Sequence, residues 1–343
     1  MALNLNYKPV PLVDTATLTN EEWLQWRKKG IGGSDVAAAL GLSPYRTARE
    51  LYFDKIGVEP VIEQEDKSIM FEIGHLLEDV VAQIFAKKTG FTVVRDQMMY
   101  QHELFPFLLA DVDRFIELPG GNRGIMECKT SHPDMQYKWA NGAVPRHYEM
   151  QVKHYLSVMN LDVAYIACLF SNNENDFVWR KIERDYEEEE RTIQQLQYFW
   201  ENYVQTKLPP PLTEKPDLVL DQLRRYYGPA DPSEPDIALD AAFAKDLEQI
   251  LELKAQKKVA DAEVRRLDGQ IKRLYAPIVD RMGTACQGHC TDGQGTTYKI
   301  SYSPTCRTGI SRQKLEMLQA QLPDVYDDYV ETTESRSFKV TKA

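Results

Sequence analysis

Seven prolines between residues 209 and 235 constrain this chain more than any other feature. Proline has a fixed φ and no backbone N–H, so Pro209-Pro210-Pro211, Pro216, Pro229, Pro232 and Pro235 cannot sit inside a regular sheet or helix. The reading that follows is two bodies: a domain over residues 1–207, a linker over 208–235 that carries a short helix at 218–227, and a smaller domain over 236–343. A length of 343 residues agrees with two domains. No internal repeat is visible.

Composition narrows the class. Hydrophobic residues make up 43% and charged residues 27%, as in ordinary folded chains. Acidic residues outnumber basic ones, 52 to 41, giving a net charge of −11. That balance excludes a protein that coats nucleic acid non-specifically, which needs a basic excess. It leaves room for a local basic cleft, with Glu187–Glu190 on the outside. No segment approaches the roughly 18 consecutive apolar residues of a membrane span. The polar N-terminus has no signal-peptide core. Five cysteines without regular spacing fit a reducing compartment, and the expected location is the cytoplasm.

Patterning then sets the elements. Asn20 caps a helix that Gly30, Gly32 and Gly33 end; Ser34 or Asp35 caps a second, and Ser43-Pro44 opens a third reaching Lys55. A 3.6-residue apolar period runs over 68–89 and stops at Gly90. Strands are predicted at 91–95, 108–117, 124–130, 163–170 and 177–184, with a turn at 172–175 and helices at 146–159 and 187–205. The first domain is therefore α/β (α+β) around one central sheet. In the second, a helix over 237–282 carries Ala260, Val264, Leu267, Ile271, Leu274 and Ile278 at alternating steps of four and three, one packing seam. A hairpin, a helix over 311–322 and a basic tail follow.

One cluster carries chemistry. Glu127 and Lys129 are i and i+2 on one strand, so their side chains share a face while Cys128 points into the sheet. Asp113 lies fourteen residues earlier, across the turn Pro119-Gly120-Gly121-Asn122, which places a second carboxylate on the neighbouring strand. Two carboxylates and the Cys128 carbonyl are hard oxygen donors suited to Mg²⁺ or Mn²⁺. An adjacent ammonium can orient a water and offset charge on phosphorus. A strand Glu and Lys two apart also occur on plain solvated faces, and that reading stays open here.

Other residues bear on the choice. Arg27 stands seven positions before Ser34, across the glycine turn at a helix N-terminus, where backbone and dipole favour an anion. Glu78 is an acid on a mainly apolar helix, with Glu72 and Asp79 read as solvated. Gln151, His154 and Tyr155 share a helix after the Glu-x-Lys strand.

Taken in order, R-x-x-G-I-G-G-S-D, L-G-L-S-P-Y, G-x-x-x-E, D-V-D-R, E-C-K-T and Q-V-K-H-Y resemble the YqaJ-like viral recombinases, the phage lambda-type 5′→3′ exonucleases, over about residues 20–185. The resemblance implies the PD-(D/E)xK nuclease fold, a mixed sheet flanked by helices. It implies that Asp113, Glu127 and the Cys128 carbonyl hold metal, two Mg²⁺ ions per site with Mn²⁺ as a substitute. Lys129 is then the catalytic lysine, Glu78 assists the second ion or orients water, and Gln151 places the water or the scissile phosphate. Arg27 and Ser34 form the pocket for the 5′-phosphate of the strand being degraded. The implied substrate is the end of double-stranded DNA, cut on its 5′-ended strand to leave 3′ overhangs for phage-type recombination. The implied partners are a single-strand annealing protein and further copies in a ring trimer, in a phage or prophage setting. Two departures stand out: Asp113 is flanked by Val112 and Arg114 rather than proline and glycine, and Asp111 occupies the place of a phosphate-contacting serine.

Two other functional readings belong to different classes, a DNA-end-binding recombination scaffold with little catalysis and a structure-specific endonuclease. Cys286, His289, Cys290 and Cys306 could in principle supply four zinc ligands, although the two-residue spacer is missing from the second pair and a small hairpin core is the plainer expectation. An iron–sulfur nuclease would need four cysteines around the core, where only Cys128 and Cys168 lie.

Overall fold

A computed structural model describes residues 3–62, 68–171, 173–331 and 338–340. The turn residue Asn172 and most of the basic tail lie outside these. The chain divides into two compact units between Gly228 and Pro229.

The first unit runs β1 (Val10–Asp14), α1 (Asn20–Arg27), α2 (Gly33–Ala39), α3 (Ala48–Ile56) and α4 (Ser68–Thr89). It continues through β2 (Thr92–Val94), β3 (Met98–Gln101), β4 (Leu109–Asp111), β5 (Arg114–Glu117) and β6 (Arg123–Ser131). Then come α5 (Arg146–Met159), β7 (Val163–Phe170), β8 (Phe177–Glu183), α6 (Tyr186–Phe199) and α7 (Pro216–Tyr227). Several starts differ from the sequence reading because a neighbour supplies a better cap. Thr19, not Asn20, caps α1 and completes a capping box with Glu22. Thr47, not Ser43, caps α3.

The expected single sheet is two. Strands β2-β5-β6-β7-β8 form a five-stranded mixed sheet, and β1-β3-β4 a separate antiparallel one. The predicted strand 108–117 is broken at Val112-Asp113, with β4 in the small sheet and β5 in the large. In the large sheet only β6 and β7 are parallel, and α5 is the crossover between them.

Alternation along β6 divides the interior in two. Ile125 joins α5, Ile166 and Phe115 on one face. Met126 and Cys128 join Val81 and Phe85 of α4 on the other. The apolar stripe of α4 is buried only in its second half; Ile69, Ile73 and Leu76 in the first half are exposed.

The segment expected as a linker packs against this unit as far as Gly228. The Pro210 carbonyl accepts from the Arg49 guanidinium at 2.7 and 2.9 Å. Thr47 Oγ1 donates to Gln222 of α7 at 2.9 Å, and Arg225 makes a two-pronged bond to Glu50 at 3.0 Å. Glu187–Glu190 are not uniformly outside either: Glu188 pairs with Arg146 and Lys153, and Glu189 is buried on Arg184.

The second unit contains α8 (Phe243–Met282), the hairpin β9 (Gln287–Thr291) and β10 (Thr297–Ser301), α9 (Arg312–Gln321) and α10 (Pro323–Tyr329). Among the described residues, no helix is long and apolar enough to cross a membrane.

Candidate active site

The site grows from β6. Its extended backbone puts Glu127 and Lys129 on the α5 face, with Lys129 Nζ 2.6 Å from Glu127 Oε1. The antiparallel register Arg114↔Met126 sets Asp113 one step on, opposite Glu127. Asp113 lies in the break between β4 and β5, and its Oδ2 accepts from the Cys128 backbone N–H at 2.8 Å. The chain therefore leaves one sheet and enters the other at the residue that brings the second carboxylate to β6.

Gln151 projects from α5, and its amide donates to the same Glu127 Oε1 at 2.6 Å. Glu127 is 1% exposed, and its other oxygen, Oε2, is buried without a hydrogen-bond partner. A buried carboxylate oxygen with no donor carries a desolvation cost that a cation would relieve. Burial, with Asp113 adding to it, pushes the Glu127 carboxyl up to about 8. Glu78 of α4 is also raised, first by burial and then by Asp113, while His75 at 2.9 Å and Arg114 oppose the rise. Burial works against the Lys129 ammonium, but Glu127 and Asp113 outweigh it and hold the proton on. The region thus has crowded carboxylates on one side and a fixed positive charge on the other. The donor set fits a divalent cation: Asp113, the orphaned oxygen of Glu127 and the Cys128 carbonyl. Among the described residues no three His, Cys, Asp or Glu side chains already stand close enough to hold a metal ion. Glu78 lines the same cleft as Asp113 and Glu127.

The residues expected to hold an anion lie where α1 meets α2. Arg27 Nη2 donates to Ser34 Oγ at 2.7 Å and to Asp35 at 3.0 Å. Asp35 is buried and gathers two more cations, Lys55 at 2.7 Å and Arg46 at 3.5 Å. Burial alone would raise its carboxyl; Lys55, Arg27 and Arg46 together hold it far below the usual carboxylate range. Asp35 also accepts from the Gly32 N–H at 3.1 Å, locking the glycine turn. A Cβ at Gly33 would fall 2.4 Å from the Tyr155 ring, so only glycine lets α2 lie against α5. Arg27, Ser34, Glu78, Asp113, Glu127, Cys128, Lys129 and Gln151 line a single cleft, so the fold brings together the eight residues to which the resemblance assigns a role.

The YqaJ-like viral recombinase domain matches residues 22–162. The uncharacterized protein YqaJ of Bacillus subtilis strain 168 is 32% identical over 331 residues, covering 96% of each chain. The chain belongs to the YqaJ-like viral recombinase family. Among solved structures it is similar to LHK-Exo in complex with dAMP (TM-score 0.46, 18% identity, 55% of this chain and 94% of that one). It is also similar to the alkaline exonuclease LHK-Exo of Laribacter hongkongensis (TM-score 0.45, 16% identity, 55% and 94%). A phage-related exonuclease from Haemophilus somnus 129PT gives TM-score 0.38 at 14% identity, over 54% and 98%.

Several residues of this YqaJ-like site escaped the sequence reading. Trp23 donates its indole N–H to Asp111 at 2.7 Å, so that unexpected acid lines the cleft in a hydrogen bond. Burial, abetted by Asp113, raises the Asp111 carboxyl against the pull of Trp23. The Tyr148 ring lies 5.1 Å from the Lys129 ammonium. Asp35 read only as a cap, and nothing local marks Lys55, twenty residues on, as its partner. Asp79 is not simply solvated, since it pairs with Arg114. His154 is absent from the cleft: it is buried, with Nε2 bonded to the Leu109 carbonyl at 2.9 Å. Cys290 in the hairpin and Cys286 and Cys306 on either side of it are exposed rather than turned into a core. Their quartet with His289 is not assembled, since no such group comes together among the described residues.

Proposed function

We propose that this chain is a Mg²⁺-dependent nuclease that degrades the 5′-ended strand of linear double-stranded DNA and leaves 3′ overhangs for recombination. The observation that carries the reading is the Glu127 carboxylate, buried with one oxygen unpartnered, beside Asp113 and the Lys129 ammonium. Burying such charge costs stability, and groups held at that cost cluster at binding and catalytic sites. Two bound Mg²⁺ (or Mn²⁺) ions would supply Lewis-acid activation of water and of the scissile phosphate.

The protein's own groups do the rest. Lys129 orients the attacking water and offsets negative charge gathering on the phosphate. Gln151 and Lys129 together fix the rotamer of Glu127, so its free oxygen faces the position a cation would take. Glu78 adds a carboxylate at the rim. Arg27 and Ser34 hold the terminal 5′-phosphate, which restricts cutting to open ends. Contacts of this kind position the backbone without reading bases, so sequence preference is weak. Family resemblance adds a single-strand annealing protein as partner.

The test is digestion of linear duplex and closed circular DNA, with Mg²⁺ and with EDTA, using strands labelled at either end. Mononucleotides released from 5′ ends of linear DNA alone support the reading. Nicking or linearisation of the circle would make the protein an endonuclease. Tight end binding without cleavage would make it a scaffold.

A further inference from the structure

The end of the motif L-G-L-S-P-Y, Ser43-Pro44-Tyr45, takes no part in lining the cleft of Asp113 and Glu127. Tyr45 is 65% exposed, although the loop that carries it is fixed on both sides. The Leu42 and Ser43 N–H groups donate to the Ala37 carbonyl at 2.7 and 3.0 Å. Ser43 Oγ accepts from the Tyr45 and Arg46 N–H groups, each at 3.2 Å, and Pro44 has a fixed φ. Arg46 is anchored on Asp54 at 3.0 Å, and the fully buried Thr47 caps α3. The backbone beneath Tyr45 therefore has little freedom left to lose when the ring binds something.

From Tyr45 a row of rings leads inward to the candidate active site. Tyr45 meets His147 of α5 edge-on, with ring centroids 5.5 Å apart, and His147 lies 4.1 Å from Tyr148. Tyr148, with the buried Trp139 at 6.1 Å, stands 5.1 Å from the Lys129 ammonium. Burial, then the charges of Lys129 and Lys138, push the His147 imidazole down to about 4, so it stands in the row as a neutral ring. Both charges that act on it are positive, a field that suits a polyanion.

We propose that Tyr45 is a stacking platform for an unpaired base of the 5′-ended DNA strand, the strand whose phosphate lies at Lys129. Such a platform needs an aromatic face in water and a cation beside the path of the backbone, and this row supplies both. Inside a duplex each base is already covered on both faces by its neighbours. Only an unpaired base, or the last pair, has a face to offer a protein ring. The platform therefore grips a strand end that has opened.

Every base has a π-face, so this grip adds affinity without reading sequence, on the order of tenfold for one stacked base. Tyr45 lies outside the cleft of the carboxylates, which makes it a residue of strand binding and not a catalytic one. The inference rests on the proposed nuclease function and adds a hold on the strand that function would cut.

The test is equilibrium binding of the full chain, in EDTA so that no cleavage intervenes, to a fluorescein-labelled duplex with a short unpaired 5′ end. Tyr45→Ala should bind about tenfold more weakly than wild type, and Tyr45→Phe, which keeps the ring, should restore binding. Photolysis of the same DNA carrying 5-iododeoxyuridine in its unpaired end should cross-link that end to Tyr45. An abasic residue at the cross-linking position should weaken wild-type binding about tenfold and leave Tyr45→Ala unaffected. The cross-link is read on the wild-type chain, so it stands even if Tyr45→Ala misfolds. Unchanged binding by Tyr45→Ala, an equal loss with Tyr45→Phe, an abasic penalty that persists in Tyr45→Ala, or no cross-link at Tyr45 overturns the proposal and leaves the nuclease reading intact. A ring that docks a protein instead gives the first of these results. A chain that binds the duplex but never cuts it with Mg²⁺ removes the nuclease reading alone, and one that does not bind it removes both.

Discussion

Gln151 Nε2 donates to Glu127 Oε1 across 2.6 Å, tying the crossover helix to the strand whose parallel pairing requires that helix. The same connection that closes the sheet therefore supplies the donor that orients its buried carboxylate. Because Lys129 occupies the same oxygen, the other one is left buried without a donor.

Lys129→Ala should lower the cleavage rate by at least about a hundredfold, the usual cost of one preorganised charge-stabilising group. DNA binding and the melting temperature should change little. Single-turnover digestion of an end-labelled duplex reads the rate, and a variant cutting at the wild-type rate would remove Lys129 from the mechanism.

Glu127→Gln keeps the shape and the acceptor for Lys129 and Gln151, but removes a charge that burial and Asp113 both penalise. In EDTA at pH 9, above the value of about 8 to which the wild-type carboxyl is pushed, it should melt about 2–4 °C above wild type, and it should be inactive with Mg²⁺. Melting below wild type in EDTA would mean that the carboxylate is structural.

Asp35→Asn should cost about 3–5 kcal/mol, because Lys55, Arg27 and Arg46 would be left around a buried site without their carboxylate. Urea unfolding measures it. A loss under about 1 kcal/mol would show that the three cations find other partners.

Acid should destabilise the first unit through His154. Burial pushes its imidazole down to about 4 from 6.5, so between those values the unfolded chain binds the extra proton and the folded one does not. Stability therefore falls as pH drops, by about 2 kcal/mol between pH 7 and pH 5 from this group. Urea midpoints across that range should fall less steeply for His154→Gln. An unchanged slope would assign the acid sensitivity to other groups.

Much of the site was legible because its chemistry is local. Glu127, Cys128 and Lys129 follow from strand alternation, and Arg27 and Ser34 from a glycine turn entering a helix. Helix α5 and strand β7 were read to the residue, since Gly, Pro and Asn punctuate strong apolar periods. What failed were features whose cause lies elsewhere in the chain. The break at Val112-Asp113 is invisible in an apolar run, because only pairing of Leu109–Asp111 with β3 and Arg114–Glu117 with β2 divides it. The packing of α7 depends on Thr47 and Glu50, some 175 residues away.

By itself, then, the order of residues determined which side chains are candidates for chemistry and on which face of each element they stand, because periodicity and turn preference act over a few residues. It also wrote the seam of α8. Only the tertiary structure decided that Asp113 reaches Glu127 by leaving one sheet for another, that Asp35 binds three cations, and that one oxygen of Glu127 has no donor. Those outcomes depend on which distant elements meet, where burial strengthens every unbalanced charge and no local pattern records it.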